Sequence, residues 1–179
     1  MIRIRTKSTA ISFSALVMVL LMASCGSSEQ ERAFTPPGLD GNEMYGQSDM
    51  QWVLDNIAIF RSRTDLISPD REAVNYLRDL RKEVTILIFM GSWSVSSQIH
   101  VPELFATLQQ VENRRITVKI IGMDRRLQDR DGMAIQYDIS MLPTFVLEYR
   151  GVELGRIIET PSRSIAFDII TILSTSLGG

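Results

Sequence analysis

Thiols and imidazoles are scarce in this chain. Its 179 residues include one cysteine, Cys25, and one histidine, His100. A single cysteine excludes an intrachain disulfide framework and a paired-thiol redox centre. A single histidine excludes a multi-histidine metal site and leaves any serine hydrolase one candidate base. Strong basic runs are also missing and the net charge is −2, so the electrostatic footprint of a nucleic-acid-binding surface is absent. No internal repeat of 20 to 50 residues and no low-complexity tract interrupts the chain. The 45% apolar and 22% charged content is that of a globular domain with a real core.

The first segment stands apart. Arg3, Arg5 and Lys7 precede an apolar stretch, Ala10 to Ala23, that is too short for a comfortable membrane span and leads through small residues to Cys25. This is the layout of a secretory signal. LMASC, Leu21 to Cys25, resembles a bacterial lipobox, in which cleavage precedes a diacylated cysteine. The expectation is a signal peptide over 1–24 and a lipid anchor on Cys25, with acyl chains held by burial of CH₂ groups at about 0.8 kcal/mol each. The mature chain would carry 16 basic and 21 acidic residues, lie on the periplasmic or outer side of a bacterial envelope, and contain no free thiol. Residues 25–46, with SSEQE, TPPG and DGN, read as a flexible tether.

Helical periodicity then predicts an N-terminal helical extension over 47–83. Met50, Val53, Leu54 and Ile57 share a face, and Ser68-Pro69-Asp70 marks the start of a second helix running to about Lys82. Val84 to Met90 is continuously apolar and rich in branched residues, the pattern of a strand buried on both faces. A helix pattern follows through Val101, Leu104, Phe105, Leu108 and Val111, then a strand over Ile116 to Ile121. The charged run Asp124 to Gly132 reads as a solvated turn. A short helix near Met133 to Tyr137, a hairpin of Thr144–Tyr149 with Val152–Ile158, and a last helix from Thr160-Pro161 complete the chain. The order β-α-β-α-β-β-α, preceded by helices, predicts an α/β domain over 84–177 whose mixed central sheet is flanked by helices.

Between the first strand and its helix lies GSWSVSS, Gly91 to Ser97. With Pro102 eight residues after Ser94, and with YDISMLPT at Tyr137 to Thr144, it resembles the thioredoxin-like family, in which a W-C-x-x-C motif opens a long helix and a cis-proline faces it. LISPDREAVNYLRDLRKE and SQIHVPEL extend the likeness to exported bacterial members of the group. Here Ser94 and Ser97 occupy both cysteine positions. Ile88 stands six residues before Ser94, where many thioredoxins carry a buried acid. A helix N-terminus stabilises a thiolate, but a serine hydroxyl is far too weak an acid to be ionised by the same dipole. The resemblance therefore implies the geometry of a thioredoxin site without its disulfide chemistry.

Trp93, Ser94, Val95, Ser96, Leu142 and Pro143 are the candidate binding residues. An exposed Leu142 main chain beside a cis-proline could pair with an extended peptide. Ser94 also suits a plain helix cap. Ser96 and His100, four apart, could share a helix face, but no acid is placed by sequence to orient the imidazole. Met90, Met123 and Met141 read as core fillers. Three functions follow. The first is a redox-inactive envelope lipoprotein, tethered to the membrane and holding a peptide or protein partner, with no cofactor, metal or nucleic acid. The second is a thiol-binding enzyme in which Ser94 hydrogen-bonds a bound thiolate. The third is a structural lipoprotein with a vestigial groove.

Overall fold

The structure is a computed structural model and describes residues 38–40 and 43–178. The expected signal peptide, Cys25 and the tether up to residue 37 lie outside the described residues.

Twelve elements follow in order: β1 (Gly38–Asp40), β2 (Glu43–Ser48), α1 (Met50–Asn56), α2 (Ala58–Thr64), α3 (Arg71–Asp79), β3 (Val84–Met90), α4 (Val95–Gln109), β4 (Ile116–Gly122), α5 (Met133–Gln136), β5 (Thr144–Tyr149), β6 (Val152–Ile158) and α6 (Ile165–Leu177). The strands form one six-stranded sheet in the order β1-β2-β4-β3-β5-β6. β3 and β4 run parallel from Val84↔Ile116 to Met90↔Gly122, joined by α4 as a crossover. β5 pairs antiparallel with β3 and then with β6. A β-α-β unit feeding an antiparallel hairpin and a final helix is the thioredoxin-like fold, here with an added N-terminal hairpin and helices.

The alternation of β3 shows why its sequence, Thr85 apart, is apolar. Val84, Ile86, Ile88 and Met90 enter the larger core cluster with Val101, Leu104 and Phe105 of α4 and Ile169 of α6. Leu87 and Phe89 enter the smaller one with Ile121, Ala134, Leu142 and Val146. A strand with helices over one face and α5 over the other has no side left for polar residues.

The N-terminal part departs from the sequence expectation. Residues 43–46 belong to a strand, not a tether: β2 pairs antiparallel with β4 through Gly46↔Gly122, Gln47↔Ile121 and Ser48↔Ile120. Its inward residues are Met44, Gly46 and Ser48, and glycine and serine carry no hydrophobic signal. The glycines are demanded by geometry. Gly46 has φ +112°, and a Cβ on Gly122 would lie 2.7 Å from the Met44 carbonyl oxygen.

The expected pair of N-terminal helices is three. Ile57 is extended (φ −123°, ψ 93°) and divides α1 from α2. The break is tolerated because the Arg61 guanidinium donates to the carbonyls of Leu54 (2.7 Å) and Asp55 (2.8 Å), satisfying the end of α1. Helix α3 starts at Arg71 rather than at Pro69, because the Asp70 carboxylate accepts the Glu72 N–H at 2.8 Å. It ends at Asp79, three residues earlier than expected, where Asn113 Nδ2 donates to the carbonyls of Leu77 and Leu80 at 2.8 and 2.9 Å. Likewise α6 starts at Ile165, capped by Ser164, not at Thr160-Pro161. In both late starts a side-chain acceptor beyond the proline sets the first turn.

Candidate functional site

The site grows from the junction of β3 and α4. After Met90 the chain leaves the sheet, and the Ser94 N–H donates to the Gly91 carbonyl at 2.9 Å, closing a turn. Ser94 is the N-cap of α4: its backbone is extended, and its Oγ accepts the Ser97 N–H at 3.3 Å. A serine cap contributes typically about 1 kcal/mol. Ser97 is fully buried, and its Oγ accepts the Gly91 N–H at 3.3 Å. Ser94 and Ser97 thus tie the strand end to the helix start. Two further bonds complete the turn: Gln98 Nε2 donates to the Ser92 carbonyl at 2.8 Å, and Ser92 Oγ accepts the Met44 N–H at 2.9 Å. Sequence reasoning assigned Ser92 and Gln98 no role, since neither residue type in that setting signals more than solvent.

Trp93 is folded back over this turn. Its Nε1 donates to the Met123 carbonyl at 2.9 Å, and the Arg125 guanidinium lies 5.1 Å from its ring centroid. A Cβ on Gly91 would come within 2.7 Å of the Trp93 ring. Gly91→Ala is therefore expected to push the indole off Met123, at a cost of about 1–3 kcal/mol from overpacking. A red shift of the Trp93 emission in a Trp52→Phe background, with a lowered urea midpoint, checks this. An unshifted spectrum would show that the ring is not held by Gly91.

Facing the start of α4 is the Leu142-Pro143 peptide bond, which is cis. The loop is anchored on both sides. Thr144 Oγ1 donates to the Met141 carbonyl at 2.8 Å, and the Glu159 N–H donates to the Pro143 carbonyl at 2.7 Å. The Glu159 carbonyl in turn accepts from Ser96 Oγ at 3.2 Å. Glu159, with φ +60°, thus links the end of β6 to both the cis-proline loop and α4. Nothing in its residue type announced this, because the role belongs to its backbone. The Leu142 N–H and C=O have no hydrogen-bond partner among the described residues, and the residue as a whole is 6% exposed, its side chain in the smaller core cluster.

All six candidate binding residues therefore fall on the α4 start and the facing loop. One of them, Val95, is 68% exposed, and exposed apolar side chains also stand at Ile158 (46%) and Met141 (45%). Met141 is thus not the core filler that the sequence suggests, whereas Met90 and Met123 are fully buried.

The serine-hydrolase arrangement fares differently. An acid does lie beside the imidazole: Glu103 Oε2 is 3.5 Å from His100 Nδ1, one turn along α4. Ser96, however, directs its hydroxyl to the Glu159 carbonyl, so its proton points away from catalysis. Among the described residues no cluster of three or more potential metal ligands occurs. No helix among them is long and apolar enough to cross a membrane.

The charged run after β4 is mostly exposed, as the sequence suggests, but one of its acids turns inward and organises it. Asp129 is buried, and its carboxylate accepts the N–H groups of Asp131, Met133 and Ala134 at 2.9, 3.1 and 2.8 Å. Arg125 pairs with Glu43 at 2.7 Å, and Gln47 Nε2 donates to Asp131 at 3.2 Å, docking the loop on β2. Beyond α5, Tyr137 packs on Phe89 with ring centroids 5.5 Å apart and donates to Glu148 at 2.8 Å. Burial and that carboxylate push its phenol up to about 12.

No protein-family model matches the chain, and no curated protein matches it. Several solved structures resemble it. A protein of unknown function from Pseudomonas aeruginosa is 16% identical, with 74% of this chain and 83% of that one covered at a TM-score of 0.49. Thioredoxin f2 of Chlamydomonas reinhardtii is 16% identical over 56% of this chain and 85% of its own, at 0.40. Mitochondrial thioredoxin 3 of Saccharomyces cerevisiae is 18% identical over 61% and 94%, at 0.36. At these scores the likeness carries no weight of its own, and the thioredoxin-like fold rests on the strand order and registers described above.

Proposed function

We propose that this chain is a redox-inactive, thioredoxin-like lipoprotein of the bacterial envelope that holds an extended peptide or protein segment in the groove between the α4 start and the cis-proline loop. The observation that carries the reading is the Leu142 main chain. Its N–H and C=O are unpaired among the described residues, while the neighbouring Pro143 and Met141 carbonyls are satisfied internally. A donor and an acceptor on one residue, left without a partner within the fold, suit an added strand: main-chain bonds supply affinity and flanking pockets supply selectivity. Val95, Met141 and Ile158 provide the apolar walls.

Disulfide exchange has no support at this site. Ser94 and Ser97 are engaged as acceptors within the turn, and Ile88 is fully buried among apolar neighbours. The same engagement weighs against the thiolate-binding reading, because Ser94 is 9% exposed and already caps its helix. Lipidation at Cys25 and envelope localisation belong to this proposal through the LMASC signal.

The test is a fluorescence anisotropy titration with a labelled, reduced and carboxymethylated α-lactalbumin, a permanently unfolded chain without free thiols. Saturable binding supports the proposal. Absence of binding, or reduction of insulin disulfides by the mature protein, overturns it.

A further inference from the structure

Six methionines lie among the described residues, and they divide sharply by environment. Met44, Met90 and Met123 are fully buried. Met50 and Met133 are half-buried against the core clusters, and Met133 sulfur also lies 3.2 Å from Gln47 Nε2. Met141 alone among them is exposed, at 45%. It lies two residues before the cis bond, its carbonyl held by Thr144 Oγ1.

We propose that Met141 is a peroxide-oxidised switch on the groove, its thioether converted to the sulfoxide while the fold stays intact. The inference rests on the groove reading above for its effect on binding, but not for its chemistry. The sulfur lone pair attacks one oxygen of a peroxide. The S–O bond forms as the O–O bond breaks, sulfur is oxidised by two electrons, and the departing oxygen leaves as water or an alcohol after taking up a proton. A thiol-dependent methionine sulfoxide reductase reverses the step. Susceptibility follows access to the sulfur, which the buried methionines lack. Consequence follows packing: oxidation of a core methionine disrupts the fold, whereas Met141 is the least buried of the six. The sulfoxide exchanges an apolar surface for a polar, hydrogen-bond-accepting one at the mouth of the groove, where an apolar segment would sit.

The experiment treats the protein with a graded series of hydrogen peroxide and follows each methionine by peptide-mapping mass spectrometry. Thermal melting and anisotropy with the labelled carboxymethylated α-lactalbumin are measured on the same samples. Met141 is expected to oxidise before every other described methionine, with the melting temperature unchanged. Affinity should fall about fourfold, the equivalent of one methylene group's transfer. The Met141→Leu protein should keep its own affinity, whatever its value, through the same treatment. Equal oxidation of Met50 or Met133, or a melting temperature that falls in step with Met141 sulfoxide, overturns the proposal. Selective oxidation with unchanged affinity removes the switch and leaves the groove standing. An untreated protein that binds no unfolded chain removes both.

Discussion

Ile88→Asp is expected to destabilise the fold by more than about 4 kcal/mol, enough to leave much of the protein unfolded at room temperature. Ile88 is fully exposed to neighbours and not at all to water: its relative accessibility is 0%. It pairs in register with Ile120 on one side and Phe145 on the other and belongs to the larger core cluster. A carboxylate there would be desolvated without a cation or a ring of donors. It would either remain protonated, as an unsatisfied acid, or ionise at a cost of several kcal/mol. The resemblance aligns this position with a buried acid of many thioredoxins, yet the acid should fail here because its surroundings are apolar. Urea denaturation of wild type, Ile88→Val and Ile88→Asp separates volume from charge, with Ile88→Val costing about 0.5–1.5 kcal/mol. An Ile88→Asp protein within about 1 kcal/mol of wild type would show that the core beneath α4 still accommodates an acid.

The second large effect is expected at Asp129. Its carboxylate is the common acceptor for three backbone N–H groups, those of Asp131, Met133 and Ala134. The residue before α5, Gly132, is left-handed and offers no side-chain cap, so Asp129 supplies the missing acceptor from three residues upstream. Hydrogen bonds to a charged group contribute about 1.5–3 kcal/mol each and are not additive. Asp129→Ala should therefore cost about 3 kcal/mol, and Asp129→Asn, which keeps one carbonyl oxygen, about half of that. Because Ala134 shares a core cluster with Leu142, the loosening should reach the cis-proline side of the groove. Hydrogen exchange should accelerate at Met133 and Ala134 first. An unchanged midpoint and unchanged exchange would mean that the loop is held by its contacts to β2 instead.

These two residues also show what the sequence could and could not convey. Ile88 lies in a run whose every residue is branched or aromatic apart from its ends, and its burial on both faces was legible from that alone. The strand and the helix after it lie where the sequence places them, because each rests on a strong local signal, and the cis Leu142-Pro143 bond is the one that the resemblance implies. Asp129 lies in DRRLQDRDG, where charge density reads as solvation. The information that one of those charges turns inward is three-dimensional, set by which N–H groups face it. The same holds for β2, whose inward Gly46 and Ser48 break the apolar alternation. It holds for Glu159, which acts through its main chain, and for Arg61, which lets a helix break at Ile57 without leaving carbonyls bare. Of the candidate site, the residues were legible and their bonding was not. Ser94 and Ser97 emerge as acceptors that close the turn, and the backbone groups without a partner among the described residues belong to Leu142.

The groove account is tested most directly by comparing wild type with Val95→Glu in the anisotropy titration with labelled carboxymethylated α-lactalbumin. Val95 is the first residue of α4 and is 68% exposed. A carboxylate there complements the helix dipole and should not weaken the fold, which equal urea midpoints would verify. It does place a hydrated charge on an apolar wall of the proposed groove. The account predicts saturable binding by wild type and an affinity at least about tenfold lower for Val95→Glu, equivalent to about 1.4 kcal/mol. Equal affinities for two equally stable proteins, or no saturable binding by either, would contradict it.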